Sequence, residues 1–291
     1  MKTKEKRLGT KAQIRSEKEK ERRIAVAIFL TIILLSVALS AYFGYTILSP
    51  SPDLSFTEPT QQSKAENLNL KLKAAIVDQL SLTLPNQTFI QTATDILEQA
   101  NYCVDYYSGV RVTVDFYRNL LTHAYNIIIL RVHSCIREDG SPPVAFFTSE
   151  PYSQNSHVYE QLADELGEAH YVVGGKEEDY FAVNPNFVVK CLNGRFQNSV
   201  IIMMGCNGLT HTDMAEAFAE KGAKAYISWN GSVSASHTDE ATAQLLQHLV
   251  TESQTIRQAV DNTMKEVGPD QEYNSTLDYY PHESGNYAIQ R

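Results

Sequence analysis

The sequence predicts an α/β fold with a mainly parallel sheet, preceded by one membrane-spanning helix. Three observations predict it. From residue 74 onward, short apolar runs alternate with amphipathic helical stretches, the β-α-β-α-β order that right-handed crossovers turn into a parallel sheet. One run, residues 200–204 (V-I-I-M-M), is apolar throughout and stops at Gly205-Cys206-Asn207-Gly208, the form of a strand buried on both faces. Residues 24–48 are 25 consecutive uncharged residues, and about 20 span a bilayer as a helix.

The chain divides accordingly. Residues 1–23 hold ten Lys/Arg and four Glu, a net +6, so within a total of −9 the rest carries −15. A basic leader directly before an uncharged stretch stays in the cytoplasm by the positive-inside rule. The same adjacency argues for a membrane rather than nucleic acid as its partner. Tyr42 and Tyr45 fall near the far end of 24–48, as interfacial aromatics do. A cleaved signal peptide is the other reading, with 38–40 (A-L-S) as its cleavage site, although such peptides have apolar cores of only ~7–15 residues. On either reading the body of the protein is exported. Residues 49–71 read as a linker, Ser-, Pro-, Gln- and Thr-rich at its start. Residues 72–291 form an extracytoplasmic domain, and the chain's 43% hydrophobic content is enough for its core.

Residues 74–80 (A-A-I-V-D-Q-L) read as the first strand, and 81–87, with Pro85 and Asn86, as a loop. Residues 88–100 place Ile90, Ala93, Ile96 and Leu97 on one side of a helix. A second strand over 103–107 ends at Ser108-Gly109. A helix over 114–123 presents Phe116, Leu120 and Leu121, and a third strand spans 125–132. Residues 135–151, with Asp139-Gly140 and Pro142-Pro143, read as a hairpin-like excursion. Next come a short helix over 159–166 and short extended pieces at 171–175 and 180–183. A helix over 185–192 leads into the 200–204 strand. Beyond it lie a helix over 213–221 stopped at Gly222, a strand over 223–229, and amphipathic helices over 238–250 and 256–267. From Gly268 the chain reads as a polar tail.

Two apolar runs end in chemically active residues. The third strand continues into His133, and the 200–204 strand into Cys206. As parallel neighbours they would set imidazole and thiol side by side on the carboxyl rim, where open α/β sheets bind ligands and do chemistry. A free thiol ionises near ~8.5, and an imidazole titrating near ~6.5 can take and return its proton at neutral pH. Taken singly, a strand-end Cys is a small core residue and a strand-end His a capped one. Together they form the pair that nucleophilic catalysis requires. His211 and Asp213, just after the nucleophile, are candidates for substrate contact or plain exposed residues.

His133-Ser134, Gly205-Cys206 and the later segment 217–229 (A-F-A-E-K-G-A-K-A-Y-I-S-W) resemble the caspase-like cysteine peptidases, the group of caspases, legumains, gingipains and separases. The resemblance covers roughly residues 72–267. It implies a caspase-like three-layer α/β/α sandwich with a mainly parallel sheet, a polypeptide substrate, and neither cofactor nor metal. It implies Cys206 as nucleophile, His133 as base, and the backbone N–H groups of Ser134 and Cys206 as an oxyanion hole. Ser134 stands where that group usually has Gly. The His-to-Cys interval of 73 residues points to an inserted excursion near 135–183. Asn86 lies where legumains carry an Asn that orients the His; as part of Asn-Gln-Thr it is also a glycosylation sequon, as are Asn230 and Asn274. Trp229 would wall the pocket for the residue before the cut. Asp239 either pairs a Lys or Arg there or caps the helix at 240–250.

The function expected is a membrane-anchored, extracytoplasmic cysteine endopeptidase, single-pass through residues 24–48. The alternative is an inactive caspase-like module that binds peptides or protein partners at the same rim. A flavodoxin- or receiver-like domain would need a phosphate loop or acidic cluster after the first strand, and 81–85 (S-L-T-L-P) is neither. Four cysteines, Cys103, Cys135, Cys191 and Cys206, include no C-x-x-C; disulfides are permitted outside the cytoplasm, but a free Cys206 leaves one more unpaired.

Overall fold

The computed structural model describes residues 72–173 and 176–289, within the second of the chain's two units, Leu68–Arg291. The leader at 1–23, the membrane-spanning helix expected at 24–48 and the linker expected at 49–71 lie outside the described residues. Among the described residues no helix is long and apolar enough to cross a membrane.

Among the described residues ten strands form two sheets. The larger contains β1 (Leu72–Asp78), β2 (Tyr102–Ser108), β3 (Ile127–Arg131), β8 (Val200–Met203), β9 (Ala225–Trp229) and β10 (Leu277–Tyr280), in the order β10-β9-β8-β3-β1-β2. Every pairing is parallel except β10 with β9. β3 and β8 are buried along their whole length, which is why their sequences are apolar without alternation. Ile127, Ile129, Val200, Ile202 and Met204 face one layer; Ile128, Leu130, Val132, Ile201 and Met203 face the other.

The first face packs α1 (Gln87–Gln99), α6 (Ala235–Leu246) and α7 (Ile256–Glu266). The second packs α2 (Val114–Asn119), α4 (Pro185–Cys191) and α5 (Asp213–Glu220). This is a mixed α/β domain with helices on both faces of a mainly parallel sheet. Helix starts are capped by side chains: Asn86 accepts from Phe89 N–H for α1, Thr113 from Phe116 N–H for α2, and a reciprocal Thr255–Gln258 capping box opens α7.

The smaller sheet departs from expectation. Between β3 and β8 the chain builds β4 (Ser134–Cys135), β5 (Ala145–Pro151), β6 (Leu166–Val173) and β7 (Lys176–Val183), antiparallel in the order β4-β5-β7-β6. The helix expected over 159–166 is only α3 (Val158–Leu162), because Asp164 takes a left-handed conformation and Leu166 already lies in β6. The long β6–β7 hairpin read as two short pieces because the first four residues of β7, Lys-Glu-Glu-Asp, are exposed and carry no apolar alternation. The expected tail is also structural. Leu277, Tyr279 and Ile289 are buried, and β10 closes one edge of the large sheet. None of the four cysteines is in a disulfide.

Candidate active site

β3 and β8 pair in parallel with Leu130 opposite Met203, and Met204 N–H donates to Leu130 O at 2.9 Å. Continued past the strand ends, this register sets Val132 beside Gly205 and His133 beside Cys206. The approach is close enough to demand glycine: a Cβ at Gly205 would strike the Val132 carbonyl and lie 2.5 Å from Ser134 Oγ. Ser134 Oγ donates to the Cys206 carbonyl and ties the two strand ends together. Beyond Cys206, Asn207 is left-handed and its N–H donates to Gly231 O at 2.8 Å. Leu209 N–H donates to Trp229 O at 2.8 Å, so the loop after Cys206 is laced to the end of β9.

His133 is held on several sides. Its N–H donates to the fully buried Gln79 Oε1 at 3.0 Å, and its Nε2 hydrogen-bonds Thr83 Oγ1 at 3.0 Å. Tyr171 of β6 lies over the imidazole, ring centroids 4.7 Å apart, with Phe147 edge-on at 5.9 Å. Nδ1 has no hydrogen-bond partner among the described residues. Burial, with the Arg131 guanidinium nearby, pushes the imidazole down to about 4, so it is neutral at pH 7.

That depression links stability to pH. The unfolded chain binds a proton at this position below ~6.5, whereas the folded domain does so only below about 4. Folding stability is therefore complete above that window and falls as pH drops through it, by on the order of 3 kcal/mol from this group. Urea midpoints of wild type and His133→Gln across the window check this: the variant is expected to lose most of the acid slope, and an unchanged slope contradicts it.

Cys206 is half-buried against the α1/α6/α7 layer. Its Sγ meets Val233 on both sides, accepting from Val233 N–H at 3.5 Å and facing Val233 O at 3.6 Å. The loop carrying Val233 is fixed by buried Asp270, whose Oδ2 accepts from Ser234 N–H at 2.9 Å and Ser234 Oγ at 2.7 Å. The thiol and the imidazole thus sit at adjoining strand ends, yet neither hydrogen-bonds the other. Cys206 N–H has no hydrogen-bond partner among the described residues. Phe147 N–H donates to His133 O at 2.9 Å, which makes Ser134/Phe146 the next, non-bonded pair of the ladder and turns Ser134 N–H away from β5. Neither of the two N–H groups expected to form an oxyanion hole has a hydrogen-bond partner identified among the described residues.

Three other expected site residues point elsewhere. Asp239 lies inside α6, not at its cap, and is buried. It accepts from Arg131 Nε at 2.7 Å, from Arg131 Nη2 at 2.9 Å and from Asn86 Nδ2 at 2.8 Å, which leaves no free carboxylate for a substrate cation. Asn86 does not reach His133: it caps α1 through Oδ1 and binds Asp239 through Nδ2, a bond that a glycan on that nitrogen would break. Trp229 is a core residue whose indole N–H donates to Thr238 Oγ1 at 2.9 Å. His211 and Asp213 hold the segment beside β5, His211 Nε2 on Gly140 O at 2.8 Å and Asp213 Oδ2 on Val144 N–H at 3.0 Å.

The residues missed are Gln79, Thr83, Arg131 and Val233. Arg131 is fully buried and also binds Asp78 Oδ1 at 2.8 Å and the Leu84 carbonyl at 2.9 Å. It fastens the end of β1, the 79–86 segment, α1 and α6 around His133. Its signal was visible as the single charge within I-I-I-L-R-V. Thr83 had none, because its role depends on how that segment folds back. Among the described residues no cluster of His, Cys, Asp and Glu could hold a metal ion. The chain matches no protein-family model, and no curated protein matches it.

Proposed function

We propose that this chain is a membrane-anchored, extracytoplasmic cysteine endopeptidase of the caspase-like kind, with Cys206 as nucleophile and His133 as base. One observation carries the reading: neighbouring parallel strands end in His133 and Cys206, with imidazole Nδ1 and the Cys206 N–H both open. The basic leader followed by uncharged residues 24–48 supports the membrane placement.

The chemistry is set by these groups. With Nε2–H donating to Thr83 Oγ1, Nδ1 carries the lone pair and takes the thiol proton as Sγ bonds the scissile carbonyl carbon. The oxyanion forms against the N–H groups of Cys206 and Ser134. The imidazolium returns its proton to the leaving amine as the C–N bond breaks, leaving a thioester on Cys206. Water, deprotonated by the same nitrogen, attacks that thioester, and the acid product departs as the thiol is restored. Burial keeps the resting imidazole neutral, so its lone pair is free, and also weakens it as a base.

Thr83 then holds the imidazole in its working orientation through Nε2. Thr83→Val is expected to lower kcat about 10²-fold with little change in KM, and Thr83→Ser to retain most of the activity. Equal losses in both variants would deny the hydroxyl this role.

A peptide-binding module without turnover is the second reading. It is favoured by the thiol's engagement with Val233 rather than His133. Incubating the full chain with a mixed peptide library separates the two. The endopeptidase reading expects internal cleavage products that vanish in Cys206→Ala. Binding without products, or products that persist in Cys206→Ala, overturns it.

A further inference from the structure

We propose that Leu82, Leu84, Tyr106 and Val110 form a platform for a bulky apolar side chain of a polypeptide substrate, close to the scissile bond; this rests on the function proposed above. These four side chains are 44%, 47%, 37% and 70% exposed; Leu82 and Leu84 lie on the segment after β1, Val110 on the adjoining turn after β2, and Tyr106 near the end of β2 itself. The turns are pressed together: Gly109 N–H donates to Ser81 Oγ at 2.8 Å, and a Cβ at Gly109 would lie 2.5 Å from Leu82 Cγ. Leu84 is pinned through its backbone, its carbonyl accepting from Arg131 at 2.9 Å and its N–H donating to Leu80 O at 2.7 Å. Tyr106 OH donates to Asp78 Oδ2 at 3.1 Å, which fixes the ring.

These tethers fix the backbone and the Tyr106 hydroxyl and leave the apolar parts of the four side chains exposed. The nearest cation on these turns, Arg111, is drawn onto the Tyr107 ring at 4.8 Å. An exposed apolar cluster held rigid by buried hydrogen bonds is surface that the fold does not need. Its place names the occupant. Thr83, between Leu82 and Leu84, hydrogen-bonds His133, so the platform is continuous with the proposed catalytic pair. A polypeptide whose scissile carbonyl rests on Cys206 must pass beside it. An aliphatic or aromatic side chain is the group that such a surface holds by exclusion of water.

The test uses the full chain and a library of peptides varied one position at a time around a cleaved bond. The platform predicts a preference for Leu, Met or Phe at one position near the cut. In Leu84→Ser/Val110→Ser, kcat/KM for the Leu peptide should fall about 10-fold relative to its Ala counterpart. Val110→Ser alone should fall part of the way, which guards against a folding defect in the double variant. Cleavage with no apolar preference, or a preference intact in the double variant, overturns the platform while the endopeptidase reading stands. A concentration-dependent dimer that the double variant abolishes also overturns it, since a second copy would then be the occupant. If nothing is cleaved and a small alkylating reagent labels Cys206 without dependence on His133, both proposals fail together.

Discussion

Asp239→Ala is expected to destabilise the domain by about 3–5 kcal/mol, the cost of removing one partner from a buried ion pair. The reason lies in what is left behind. Arg131 loses two short bonds, at 2.7 and 2.9 Å, and keeps Asp78 and one carbonyl, while Asn86 Nδ2 loses its acceptor. The guanidinium cannot turn to water, because Arg131 is 0% exposed. For a domain of this size the thermal midpoint should fall by roughly 10 °C. Scanning calorimetry checks it, and a loss under about 1 kcal/mol would mean that water reaches the vacated site. The sequence left two expectations for this substitution, a lost basic preference if Asp239 lines a pocket or lowered stability if it caps a helix, and the buried Arg131 contact replaces both roles.

The other large effect is catalytic. On the proposed endopeptidase reading, Cys206→Ala and His133→Ala should each lower kcat for peptide cleavage on the order of 10⁴-fold or more, because a nucleophile and its base act as a unit. The double variant should be scarcely worse than either single one. Steady-state kinetics on a peptide found by library screening measure all three. Independent, multiplying losses would mean that the two residues do not work on the same bond.

The parallel sheet was legible because β1, β3 and β8 are buried on both faces over 74–77, 127–130 and 200–203, and these stretches are written as apolar runs. The same property placed His133 and Cys206, since each is the first chemically active residue after such a run. Partners fixed by tertiary folding were not legible. Asn86 and Asp239 are 153 residues apart and meet only because α1 and α6 pack on one face. Nothing local distinguishes a carboxylate facing Arg131 from one facing a pocket. Thr83 reaches His133 across 50 residues through a turn that no periodicity announces. The second sheet was obscured because its hairpin is half solvent-exposed and its strands lack the apolar continuity of the first.

The central claim, that His133 activates Cys206, is tested most directly by mapping alkylation rates of all four thiols in the full chain by mass spectrometry. Burial pushes Cys135 up to about 11, and burial with the Glu165 contact pushes Cys191 up to about 12, so neither should react at neutral pH. Cys103 is exposed and serves as the unactivated reference. In wild type, Cys206 should react about 10-fold or more faster than Cys103 despite its lower exposure. In His133→Ala it should become the slower of the two. A Cys206 that reacts no faster than Cys103 in wild type, or that keeps its rate in His133→Ala, would contradict the claim.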